Sequence, residues 1–210
     1  MWESLKLLSF GASGWGDELA QGLMITVLLA VCTLPFGLAL GLLVAIAKNS
    51  GERSLMLAAN VYTTIFRGLP ELLTLFIVYY GGQIALQQFV NLFTDVYVEV
   101  NSFVAGMVAL GLVFSAFSSE TFLSAFRGIP KGQPEAGKAL GLSSVQGFRL
   151  IVFPQLVRLA LPGLSNLWLV LLKETSLVSI IALDDLMRKT HIAVGITKQP
   201  LMFYAVTCGI

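Results

Sequence analysis

A chain of 210 residues that is 56% hydrophobic and only 12% charged, with a formal net charge of +1, is far more apolar than soluble domains, which run at roughly 45–50% apolar and 25% charged. That excess, with a mean hydropathy of +0.83, places the chain in a bilayer, and the absence of any basic or acidic block removes the electrostatic footprint of a nucleic-acid binder. Cys32 and Cys208 both lie inside apolar runs, where a thiol serves as a small buried hydrophobe, so neither a disulfide nor a metal pair is expected.

Met1 to Phe10 has one lysine, no long apolar core and no small-residue cleavage site, so no removable signal peptide is expected and the first spanning helix serves as the insertion signal. Leu19 to Ala47 contains no Asp, Glu, Lys or Arg; a helix of that length exceeds the roughly 30 Å hydrocarbon core. Pro35 in its middle is expected to kink it, which lipid tolerates when neighbours satisfy the freed carbonyl. After a polar turn at residues 48–53, Leu55 to Phe66 reads as a surface-skimming or partly inserted helix, broken at Arg67-Gly68-Leu69-Pro70-Glu71. Leu72 to about Ile84 completes a second spanning helix, with Tyr79 and Tyr80 at the level of an interfacial aromatic belt. Gln87 to Asn101 reads as a loop or lateral helix.

A third helix runs from Ser102 through Glu120 to Arg127, and a polar loop follows from Gly128 to about Arg158. The fourth spans about Leu159 to Leu183 and contains the adjacent charges Lys173 and Glu174. Asp184 to Pro200 is expected to return to water. Leu201 to Ile210 is too short an apolar run to cross, so the chain is expected to stop inside a fifth helix. Lys48, Arg53, Arg67, Arg127, Lys131, Lys138, Arg149 and Arg158 lie on one side, against Lys6, Arg188, Lys189 and Lys198 on the other. The positive-inside tendency makes the first side cytosolic and the N-terminus external.

The loop 128–158 has its own punctuation. Pro134 suits the first position of a helix, Glu135 complements the positive helix end, and Gly141 can take the left-handed conformation that stops it. Ser143 followed by Gln146 is a capping box opening a second helix, whose continuation Pro154 is expected to interrupt. Two stiff helices meeting at a glycine corner fit an amphipathic re-entry loop as well as a lever that grips a partner.

Glu-Ala-x-x-x-x-Gly, then nine residues, then Ile-x-aliphatic-Pro resembles the cytosolic signature of binding-protein-dependent ABC importer permeases, carried here by Glu135, Ala136, Gly141, Ile151 and Pro154. Phe66-Arg67-Gly68-Leu69-Pro70-Glu71, Ser119-Glu120, Ile129-Pro130-Lys131-Gly132-Gln133, Leu161-Pro162-Gly163 and Lys173-Glu174-Thr175-Ser176 extend the likeness to the polar amino acid branch, nearest to histidine, octopine and nopaline permeases. Gly137 departs from the family's second alanine and Phe153 from a leucine; Gly137 lowers helix propensity by up to about 1 kcal/mol.

The resemblance implies an all-α type I importer permease of the bacterial inner membrane with five transmembrane helices. Residues 1–18 would be a periplasmic segment and 19–210 one permease domain with the coupling loop 128–158. It also implies that Glu135, Ala136, Gly137, Gly141 and Pro154 couple the chain to ATP-driven motion, Glu135 and Ala136 docking in a groove of an ATPase subunit. The implied partners are two cytosolic ATP-binding subunits, a second permease subunit, either another copy or a related chain, and a periplasmic solute-binding protein. The solute would be a polar or cationic amino acid or an opine. No cofactor is expected in the chain itself, since it has no nucleotide-binding motif and ATP would be bound by the partner.

Glu174, twelve residues and about 18 Å beyond Pro162, falls deep in the bilayer, where a carboxylate costs at least about 2.5–3.5 kcal/mol unless it meets water or a partner. It is either a solute site assisted by Thr175 or Ser176, or half of an ion pair with another helix. Glu120, nearer the cytosolic end, suits a gate or packing role better than solute contact, and Arg67 suits an interfacial anchor. A membrane-embedded enzyme lacks its parts here, because His191 is the only histidine and no Cys/His ligand set exists. A channel or receptor-like subunit explains the helices but leaves the glycine-cornered loop without a purpose.

Overall fold

The computed structural model of the chain describes residues 7–11 and 14–210, so Lys6 and most of the segment from Met1 to Phe10 lie outside the described residues. Every regular element among them is helical. Helix α1 is Gly16–Asn49, α2 is Arg53–Gly68 and α4 is Ser102–Gly128. The run α3, Glu71–Asn91, is α-helical except for one π turn at Ile77–Gly81. The short α5 is Gly132–Ala139. The long run α6, Ser144–Ile181, passes through a π turn at Phe148–Val152 and finishes as a 3-10 helix from Thr175 to Ile181. Helices α7, Leu186–Thr197, and α8, Pro200–Gly209, complete the order. Four of these, α1, α3, α4 and α6, are long and apolar enough to cross a membrane.

The break between α2 and α3 has a local cause. Leu69 is extended, with φ −87° and ψ 140°, because the ring of Pro70 excludes the helical conformation from the residue before it. Elsewhere helix persists further than expected. α3 continues to Asn91, well past Ile84, since nothing between Gly82 and Asn91 removes a backbone donor. Pro154 does not interrupt the second helix of the loop. The π turn just ahead, in which Phe153 N–H bonds to Phe148 O, shifts the carbonyl pairing where Pro154 has no N–H to offer, and the helix runs on. The segment from Asp184 to Pro200, expected to return to water, is largely helical: α7 fills most of it, opened by the Asp185 cap.

The chain divides into two compact units, residues 34–70 with 111–171 in one and 1–33, 71–110 and 172–210 in the other. In the first, α1, α4 and α6 close around Ala45, Phe122, Ala125, Ile129, Leu156 and Ala160. Lipid tails are as apolar as leucine, so this packing is stabilised by van der Waals contact and interhelical hydrogen bonds rather than by escape from water. Small residues set its closeness. A Cβ on Gly41 would lie 2.0 Å from Ser118 Oγ and 3.0 Å from the Ser115 carbonyl oxygen, while Ser118 Oγ donates to Gly37 O at 3.4 Å. In the second unit Leu19, Leu186, Ala193 and Phe203 pack α1 against α7 and α8. There Thr26 Oγ1 accepts from Leu186 N at 3.1 Å.

Gly41→Val inserts three carbons into a space that one would overfill. Overpacking of this kind costs about 1–3 kcal/mol, so the variant is expected to unfold at a lower midpoint in a detergent thermal scan. An unchanged midpoint contradicts the seam.

Candidate functional site

The glycine corner is built as two interlocking caps. Lys131 is the N-cap of α5, with Glu135 in the first turn and Lys138 in the last, charges placed to complement the helix dipole. Pro134 is the third residue of the helix rather than the first, still within the turn whose N–H groups have no intrahelical acceptor. At the other end Gly141 has φ 77°; its N–H bonds to Lys138 O at 3.0 Å and Leu142 N–H to Gly137 O at 3.1 Å, the paired bonds of a Schellman stop. The next helix starts at once: Ser143 N–H donates to Gln146 Oε1 at 3.0 Å and Gln146 N–H to Ser143 Oγ at 3.3 Å. Only Leu142 separates the two caps.

Gly137 faces its own chain. It is buried, and a Cβ there would stand 2.7 Å from Ile151 Cδ1. Gln155 Nε2 donates to Gln133 Oε1 at 3.3 Å, a second tie between α5 and α6. Glu135 and Ala136 are left exposed, and so is Leu140 at 80%. An exposed leucine at the tip of a polar loop was not among the residues singled out from the sequence; its position at a helix end, beside a glycine stop, is the signal that marks it.

Glu120 is paired. Its Oε1 lies 2.5 Å from Lys48 Nζ and 3.5 Å from Arg67 Nη1. Lys48, whose side chain is 6% exposed, also donates to Thr63 Oγ1 at 2.6 Å, and the Arg67 guanidinium sits 5.4 Å from the centre of the Phe117 ring. One carboxylate thus joins α1, α2 and α4. Lys48 and Arg67, read from the sequence as a turn residue and an interfacial anchor, are its counter-ions.

Glu174 is different. It is half-buried where α-helix gives way to the 3-10 segment, and among the described residues it has no ion-pair partner. The charged group acting on it is another carboxylate, Glu71, the first residue of α3. The hydroxyls nearby are turned to their own helix: Thr175 Oγ1 donates to Leu172 O and Ser176 Oγ to Lys173 O, both at 2.7 Å. Thr175 is fully buried and Lys173 exposed. Glu71 escaped the sequence reading because it sits after a proline break, where an acidic residue serves equally as a helix-start charge.

Asp185 is a second buried carboxylate not singled out beforehand. Its Oδ1 accepts from Arg188 N at 2.9 Å as the cap of α7, while Oδ2 is enclosed without a hydrogen-bond partner. Burial pushes its pKa up to about 6, opposed by backbone hydrogen bonds from Arg188, Met187 and its own N–H and by the charge of His191. No cluster of three or more metal-ligating side chains occurs among the described residues.

Apolar helices of spanning length, a loop of two helices joined at a glycine corner, and two carboxylates without an ion-pair partner among the described residues fit a transmembrane transport subunit. Residues 37–210 match the family described as the binding-protein-dependent transport system inner membrane component, and the chain belongs to that family: it is a multi-pass inner-membrane permease subunit of an ABC importer. Such an importer works with an ATPase, a permease partner and a binding protein. The chain is 44% identical over 202 residues to the nopaline transport system permease protein NocQ of Agrobacterium fabrum, covering 95% of this chain and 86% of that one. It is 37% identical over 197 residues to the histidine/lysine/arginine/ornithine permease HisQ of Escherichia coli, covering 94% and 86%. A crystal structure of an amino acid ABC transporter with histidines superposes with a TM-score of 0.77 at 29% identity, over 93% of this chain and 86% of that one.

Because the native Asp185 binds its proton up to about pH 6 and the unfolded one only to 3.8, this group favours the folded state at low pH. That contribution is lost as pH rises from 3.8 through 6. Asp185→Asn keeps a competent cap and cannot ionise. Its thermal midpoint relative to wild type is expected to climb across this window and stay higher at neutral pH. A difference that does not change with pH refutes the assignment.

Proposed function

We propose that this permease imports a cationic amino acid or an opine, and that Glu71 and Glu174 together form the membrane site that receives the cationic end of the solute. The single observation that carries this reading is two half-buried carboxylates acting on one another with no basic side chain paired to either among the described residues. Like charges in such surroundings raise each other's energy, and a guanidinium or ammonium relieves both at once. A guanidinium also offers a fork of donors suited to two carboxylates.

The local backbone supports the same reading. Glu174 is the last α-helical residue before the 3-10 segment, so the negative end of the helix dipole reinforces its attraction for a cation. Helix breaks inside a membrane occur where irregular backbone lines a cavity, and Glu71 and Glu174 both stand at one. The relatives carry nopaline, or histidine, lysine, arginine and ornithine, and lysine, arginine and ornithine end in a cation. Glu120, satisfied by Lys48 and Arg67, serves as a packing or gating element in this scheme, and Thr175 and Ser176 shape the site through the backbone they bind.

The basic loops 48–67 and 127–158 are cytosolic and the N-terminus periplasmic. α5 docks through Glu135 and Ala136 on one of two ATP-binding subunits, with Leu140 beside them as an apolar contact, while Gly137, Gly141 and Pro154 hold the lever's shape. The second permease is a related chain, making a heterodimer, and a periplasmic binding protein delivers the solute.

In proteoliposomes holding the whole importer and its binding protein, Glu71→Gln and Glu174→Gln are each expected to lower arginine uptake about tenfold or more, the scale of one lost charge-assisted hydrogen bond, with subunit assembly intact. Uptake unchanged in both variants refutes the site.

A further inference from the structure

A cleft of about 480 Å³ opens beside the root of α5. Its mouth is formed by Asn49 at the end of α1, Arg127 near the end of α4 and Lys131 at the cap of α5. Phe126, Pro134 and Phe148 give it apolar walls, the two rings lying 6.4 Å apart. Arg127 and Lys131 are exposed, and among the described residues neither side chain has an ion-pair partner. This contrasts with Lys48 and Arg67 in the same unit, which share Glu120.

We infer that this cleft holds the headgroup of an anionic phospholipid. The walls and the mouth ask for different things, and one molecule of that class supplies both: a phosphate for the two cations, and a glycerol and acyl body for the phenylalanines. Free phosphate would neutralise the mouth but leave the aromatic walls against water; a nucleotide, whose base could stack on the rings, is distinguished by the displacement arm of the test. The inference rests on the cytosolic placement of loop 127–158 proposed above, because anionic lipids of the inner leaflet attract basic residues just outside the hydrocarbon. The lipid would then wedge between the end of α4 and the first turn of α5, at the root of the lever that meets the ATPase, making coupling sensitive to membrane composition.

The test uses the full importer complex, purified and placed in nanodiscs of phosphatidylcholine alone or mixed with phosphatidylglycerol, with retained lipid identified by native mass spectrometry. Each basic side chain near an anionic headgroup contributes about fivefold in affinity, so the double variant Arg127→Gln/Lys131→Gln is expected to retain phosphatidylglycerol about thirtyfold less well. The charge-keeping pair Arg127→Lys/Lys131→Arg is expected to retain it and guards against simple misfolding. Equal retention by wild type and the neutralised pair overturns the inference, as does equal retention of the two lipids by wild type, or displacement of the lipid by inorganic phosphate or ATP. The same samples report whether the ATP-binding subunit is present. If it is absent while lipid retention follows charge, the coupling scheme fails and the lipid site stands; if it is present and retention ignores charge, only the lipid site falls.

Discussion

The hydrocarbon interior offers no water to a backbone N–H or C=O, and each one left unpaired there costs several kcal/mol. The chain answers by staying helical, so the few places where regular α-helix lapses stand out. They include the Leu69–Pro70 break, the π turns at Ile77–Gly81 and Phe148–Val152, and the 3-10 ending of α6. None of these leaves the chain unfolded. Each replaces one pairing pattern by another, which keeps the backbone paired beside prolines and polar side chains. Two of these four adjoin Glu71 and Glu174, and a third adjoins the lever.

Charge follows the same logic. A carboxylate far from water must be paired, hydrated or neutralised, and the chain uses different solutions for different carboxylates. Glu120 is paired with Lys48 and Arg67. Lys48 is the enclosed member of this set, so removing Glu120 would leave its charge uncompensated. Asp185 caps α7, and burial keeps it protonated well above the ordinary carboxylate range. Glu71 and Glu174 have no ion-pair partner among the described residues. That unpaired couple of carboxylates is what the proposed solute site rests on.

Much of this organisation was legible in the residues. The uncharged run within α1, the extent of α4, and the Pro134–Gly141 and Ser143–Gln146 signals of the corner are local statements, and local physics determines them. The failures were of two kinds. Pro154 was read as a break, because a proline usually ends a helix; the π turn just ahead of it absorbed the disturbance. The pairing of Lys48 with Glu120, and of Glu71 with Glu174, joins residues far apart in the chain. No periodicity encodes such meetings. The role of Gly137 changed for the same reason: from the sequence it is a weak helix former, whereas in the fold it is the surface on which Ile151 rests.

The corner itself carries the central claim, that α5 is a stiff lever moved by a nucleotide-hydrolysing neighbour. Its stiffness follows from two caps with one residue between them, and its direction from the continuous helical run that starts at Ser144. The most direct measurement is cysteine trapping in membranes of the assembled importer, with Cys32 and Cys208 replaced by alanine. Ala136→Cys, on the exposed face of α5, is predicted to cross-link to a cysteine in the ATP-binding subunit with a yield that changes on adding ATP, while Gly137→Cys, turned towards Ile151, is not. Cross-linking of Ala136→Cys only within its own chain, or its labelling only by reagents dissolved in the lipid, would contradict the account.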